Sequence, residues 1–218
     1  MPSRRPTSSG RILALLAGLV VLRAVAGVVS NYGDYLPPDF RSDFLHGREG
    51  HFRGAYRWAF YAHIASGPVA LILGLFLVGE WSRTRLRGWH RRLGWVQVAC
   101  VLAVVTPSGL VMARHAAAGP VAAVGLATLA IATAVCTFQG ARAAARRRFA
   151  DHRRWMWRSY LLLASAVVLR LIGGLGVVAG GVAPWFDPLA TWLCWLLPLA
   201  AFELSERIQR APGPITVR

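Results

Sequence analysis

Four histidines and three arginines stand inside, or at the edges of, long apolar runs: His63, His90, His115, His152, Arg23, Arg158 and Arg170. Histidines on facing helices of a bundle are how b-type haem iron is held, and their levels along the helices must match for two of them to reach one iron. His90 is followed by Arg91 and Arg92, and His152 by Arg153 and Arg154, so each imidazole has cations beside it that suit haem propionates. His63, His90 and His152 are therefore the candidate ligands for a haem or metal, with His115 a weaker fourth. The arginines serve the same chemistry from the other side, because a guanidinium neutralises a propionate, a lipid phosphate or a quinone oxygen. His46 and His51 lie in a polar stretch, at a spacing that admits a metal ion only weakly.

Other chemistry finds no support in the chain. Cys100, Cys136 and Cys194 are far apart and each sits in an apolar run, with no CxxC or CxxCH. They read as packing thiols, not as a zinc knuckle or a c-type haem attachment site. No phosphate loop, nucleophile elbow or HExxH occurs. The net charge of +16 comes from 25 arginines in the gaps between apolar runs, a pattern of membrane topology and not of a nucleic-acid-binding face.

The elements that must position these residues begin with residues 151–170. Asp151 to Tyr160 is a cluster of charge and aromatics, followed by the run Leu161 to Leu169 and then Arg170. A helix entering a bilayer has this order: cations at the headgroups, tryptophans at the interface, aliphatics in the hydrocarbon. From Arg158 to Arg170 the rise is about 18 Å, past the middle of a hydrocarbon core about 30 Å thick. Arg23 is the same rise in from Arg11, about 18 Å, and His63 is about 8 Å beyond Trp58. These three polar side chains share the outer half of the bilayer, and no carboxylate in any span is at their height. Such a group is expected to have a functional partner.

The chain is 56% hydrophobic with a mean hydropathy of +0.46, too apolar for an ordinary soluble domain. Six apolar stretches near the ~20 residues a span needs fall at about 12–30, 56–78, 90–113, 120–139, 155–181 and 185–205. The expected fold is all-α: a polytopic bundle of six transmembrane helices forming one membrane domain, spans two to five making a four-helix core. An outer loop covers 31–55 and a polar tail 206–218. Ala24-Val25-Ala26 resembles a signal-peptidase site, but the apolar run continues to Val29 and is read as an uncut span. With both termini in the cytoplasm, 18 arginines fall inside and five outside. The excess of positive charge sets that orientation.

Four pieces of the chain are distinctive together. They are His63-Ile64-Ala65-Ser66-Gly67 with Ala70 to Gly74; His90-Arg91-Arg92-Leu93-Gly94; Gly119 to Gly125; and His152 through Tyr160 leading to Leu169-Arg170. On these pieces, over about residues 55–175, the chain resembles a family of bacterial predicted integral membrane proteins known as domain of unknown function 2306. The resemblance implies that His63, His90, His152, Arg158 and Arg170 are family features. It implies no activity.

These observations give three expectations. The first is a multi-pass protein of the bacterial inner membrane that holds haem b or serves quinone-linked electron transfer through an intramembrane His/Arg site. The second is a small-molecule or lipid transporter or binding protein whose buried arginines take an anionic ligand. The third is an accessory subunit of a membrane complex, or a homo-oligomer. The lipid bilayer is the partner common to all three, and nucleic acid is partner to none.

Overall fold

In a computed structural model the described residues are 8–42, 44–179 and 183–210, so part of the polar tail, residues 211–218, lies outside them. The apolar runs form helices because hydrocarbon offers the backbone no hydrogen-bond partner, and a helix satisfies its own groups. In chain order the helices are α1 (Ser8–Ser30), α2 (Gly54–Val78), α3 (Glu80–Arg85), α4 (Arg87–Cys100), α5 (Thr106–Ala113), α6 (Gly119–Ala145), α7 (Phe149–Val178) and α8 (Phe186–Arg210). A π-helical turn, Val101–Val105, joins α4 to α5 as one span. Six helices are long and apolar enough to cross a membrane. The fold is an all-α polytopic transmembrane bundle.

Helix ends differ from the apolar stretches for local reasons. α7 starts at Phe149, ahead of its apolar run. Asp151 in its first turn suits the helix dipole and faces Arg148 and Arg154, each at 3.7 Å. α6 continues to Ala145 because its last turns are rich in alanine, the best helix former.

Prolines explain the irregular backbone. Pro107 lacks an N–H and its ring crowds the carbonyl four residues back. The helix widens into the π turn just before it, and Ser108 Oγ donates to the Val104 and Val105 carbonyls at 2.6 and 3.1 Å. In α2, Pro68 leaves the Ile64 carbonyl without its helical donor. The hydroxyl of Tyr32, from the connection after α1, donates to that oxygen.

α2, the α4–α5 span, α6 and α7 form a ring of neighbours. α8 packs along the groove between α6 and α7, and α1 lies against α2 and α7. Small residues permit the close approaches. A Cβ at Gly125 would lie 2.9 Å from Trp192 Nε1, whose N–H donates to the Val121 carbonyl. Polar pairs tie the seams. Ser159 and Thr137 are fully buried with their oxygens 2.7 Å apart between α7 and α6. Arg158 of α7 grips Glu203 of α8 through two bonds of 2.5 and 2.9 Å. α4 and α7, although both in the ring, make no close backbone approach, and the space between them stays open.

Substituting Gly125→Val forces the indole of Trp192 off its carbonyl. The expected cost is about 1–3 kcal/mol, as for other overpacked sites. It is read as a lowered midpoint of thermal unfolding in detergent.

Candidate functional site

The gap between α4 and α7 is a cavity of about 880 Å³. It opens at the end of the bundle where α2 finishes and α4 and α7 begin, the arginine-rich end. His90 and His152 both line it and lie within electrostatic range of each other. Each is the fourth residue of its own helix, and the two helices stand on either side of the cavity.

Both rings are fixed at the same nitrogen. His152 Nδ1 lies 2.9 Å from the Gly140 carbonyl. A carbonyl only accepts, so Nδ1 carries the proton. His90 Nδ1 lies 3.3 Å from Ser82 Oγ, and Ser82 directs its own proton to the Gly79 carbonyl at 3.0 Å. His90 Nδ1 is therefore also the donor. In both rings Nε2 keeps its lone pair, which is the arrangement found in metal-ligating histidines.

The cavity is polar at two levels and apolar between them. At the mouth, Arg83, Arg87, Arg91, Arg147 and Arg153 supply cations. Burial lowers Arg83 from the ordinary arginine range, and the charge of Arg153 adds to this against the opposing pull of Glu80. Arg147 holds its place with a backbone φ of 59°, the left-handed turn that ends α6: Arg147 N–H donates to the Ala144 carbonyl and Arg148 N–H to that of Ala143. Farther in, Leu77 and Met156 line the walls, and Val98 and Leu163 line them past the inner polar level. At that inner level are Gln97 and Tyr160. Gln97 is seven residues beyond His90, about 10 Å, and Tyr160 eight beyond His152, about 12 Å.

The other residues singled out from the sequence lie elsewhere. Arg158 is tied to Glu203 and stacks on Trp155 at 4.7 Å. Arg170 is exposed on α7 and turns back to donate to the Ala166 carbonyl at 2.8 Å. Arg23 is exposed on α1 and runs one turn along its helix, where a Cβ added at Gly27 would lie 3.4 Å from its Nη1. His63 Nδ1 lies 3.1 Å from Ser108 Oγ, and its ring covers Gly109. Of these, Arg170 lies within electrostatic range of His63 and of Tyr35. His115 stacks on His51 at 4.7 Å. Among the described residues no group of three or more His, Cys, Asp or Glu is placed to hold a metal ion.

Residues 31–55 form a cap at the opposite end. Leu45 and Phe60 are fully buried, with Tyr35, Phe52 and Tyr56 around them. Tyr61 donates to the Tyr35 carbonyl at 2.9 Å, and the edge of Tyr56 meets both rings of the His51–His115 stack.

Sequence reasoning missed Ser82 and Gly140, which orient the two rings, and Gln97 and Tyr160 at the inner end. A signal existed for Gln97. It lies two helical turns beyond His90, on the same face, in an otherwise apolar span.

A sequence model described as "Predicted membrane protein (DUF2306)" matches residues 60–205. The match continues through α8, beyond the distinctive pieces, and so takes in Glu203. No curated protein and no solved structure matches the chain.

The cap makes a prediction with a definite sign. Burial, then His115, then Arg48 lower the pKa of His51. The native state therefore resists protonation at His51 more than the unfolded chain does. Cap stability is complete above about pH 6.5, the unfolded value, and falls as pH drops below it. Limited proteolysis within 31–55 is expected to be faster at pH 5 than at pH 7.5, and His51→Phe is expected to remove most of that difference.

Proposed function

The chain belongs to the family of predicted membrane proteins DUF2306, and on that premise we propose that it binds haem b between His90 and His152. The observation that carries the reading is the pair itself: two imidazoles on opposite walls of one cavity, each protonated at Nδ1 by its orienting bond, each presenting an Nε2 lone pair. The surroundings fit the group. The walls are apolar, as the porphyrin face requires, and Arg83, Arg87, Arg91, Arg147 and Arg153 at the mouth suit propionates. Bound there, a haem supplies one-electron transfer. The chain's residues hold the two rings in register, shield the porphyrin from water and balance the propionate charge. In this reading the protein lies in a bacterial inner membrane, with the arginine-rich end toward the cytoplasm by the charge bias of its loops.

One observation favours a second reading. Five arginines at the mouth exceed what two propionates need. An anionic amphiphile, lipid or small molecule, held by its head at this rim is the alternative, and it takes nothing from the histidines.

The visible spectrum of the purified protein tests the first reading. The expected result is the Soret and α bands of a b-type cytochrome. His90→Ala and His152→Ala should each lose them, while His63→Ala and Arg170→Met keep them. Ser82→Ala removes an orienting bond and is expected to weaken haem retention about tenfold, as such bonds do elsewhere. A colourless protein with unaltered folding overturns the reading.

Arg147→Gly tests the second. The fold should be kept or slightly stabilised, by about 1 kcal/mol, because glycine tolerates the left-handed turn. Co-purified anionic lipid, measured by mass spectrometry, should fall in that variant.

A further inference from the structure

We infer that the inner end of the cavity is a separate subsite for a lipid-soluble hydroquinone, and that it takes the reduced form in preference to the quinone. Gln97 is 2% exposed and Tyr160 7%. Both line the cavity, and Gln97 Oε1 and Tyr160 Oη are both buried without a hydrogen-bond partner. Leaving such atoms unpaired in hydrocarbon is costly. Thr106 Oγ1 and Trp195 Nε1 share that state elsewhere in the bundle, but Gln97 and Tyr160 also line a cavity, through which a polar group can be brought in from outside.

The chemistry of that group follows from the atoms. The amide of Gln97 cannot turn round at no cost, because one of its N–H groups donates to the Ala70 carbonyl at 3.1 Å, and only the nitrogen end can face a carbonyl. The unpaired atom of Gln97 is therefore its acceptor, Oε1, which asks for a donor. Tyr160 offers a proton. A hydroxyl answers both, donating to Gln97 and accepting from Tyr160. A quinone carbonyl answers Tyr160 and leaves Gln97 unpaired.

The position favours a flat apolar molecule arriving through the bilayer. Trp95 on α4 and Trp157 on α7 both line the cavity and are both exposed on the bundle surface. They stand beside the gap between the two helices on the outer surface of the bundle, and Val98 and Leu163 continue the apolar lining past them. Gly74 keeps the end of the path in shape. A Cβ there would lie 2.7 Å from Tyr160 Cδ2 and 3.3 Å from Gln97 Nε2, displacing both.

The subsite lies about 10 Å beyond the histidine level and does not depend on haem. It is tested with the full chain in detergent, under anaerobic conditions, by equilibrium dialysis against a short-chain hydroquinone and its quinone, with protein-free micelles subtracted. The wild-type protein should bind the hydroquinone about tenfold more tightly, the effect of one buried unpaired acceptor. Tyr160→Phe should weaken both forms, and Gln97→Leu should make them equal. If Gln97→Leu does not fold, the wild-type ratio together with Tyr160→Phe decides. His90→Ala should keep the preference, which separates this inference from the haem reading. Equal affinities in the wild-type protein, absence of saturable binding, or a preference that survives Gln97→Leu would overturn it. So would an aliphatic alcohol of similar length binding as tightly as the hydroquinone.

Discussion

Inside hydrocarbon, a carbonyl, hydroxyl or guanidinium has no water to fall back on and must find its partner within the protein. Most of this bundle can be understood as the answers to that demand. The carbonyl freed by Pro68 is met by Tyr32, and those at the π turn before Pro107 by Ser108. Ser159 meets Thr137 across one helix seam and Arg158 meets Glu203 across the next. Arg170 turns to a carbonyl of its own helix. The exceptions among the described residues are Thr106 Oγ1 and Trp195 Nε1 in the bundle, Arg48 Nε and His51 Nε2 at the cap, and two oxygens in the space between α4 and α7. There two imidazoles present unshared lone pairs, and Gln97 and Tyr160 hold unpaired oxygens. Gln97 and Tyr160 differ from the other four in lining that cavity.

The space exists because of how its walls are braced. α3 turns the chain between α2 and α4 and supplies Ser82, buried beneath His90. α6 packs tightly on α7, where Gly140 leaves room for Met156 and lends its carbonyl to His152. Each imidazole is thus positioned by an element other than its own helix. The openness of the gap is a property of the ring as a whole, with α2 and α6 holding α4 and α7 at a distance. At the other end the aromatic cap closes the bundle, and the cavity opens on the arginine-rich side.

Much of this was legible in the sequence, and the rest was not for identifiable reasons. The six crossing helices follow from apolar length alone. The shared level of His90 and His152 follows from their positions at the starts of spans that rise in the same direction. Counting rise gives height, however, and says nothing about the direction a side chain faces. Among the residues matched in height, Arg170 comes within electrostatic range of His63, yet its guanidinium donates to its own helix while the imidazole meets Ser108. The partner of Arg158 was out of reach because Glu203 lies 45 residues away in a span outside the distinctive motifs. Ser82 and the carbonyl of Gly140 carry no pattern that sequence can display. Gln97 did carry one, as a lone amide two turns along the face of a candidate ligand, and its meaning became clear once Tyr160 was seen beside it.

The account rests on His90 and His152 acting on one guest together. Low-temperature electron paramagnetic resonance of the oxidised, purified protein tests this most directly, because it distinguishes one imidazole from two. The account predicts the low-spin ferric signal of a haem held by two histidines. A high-spin signal from singly ligated iron, or a fully folded protein containing no iron, would contradict it.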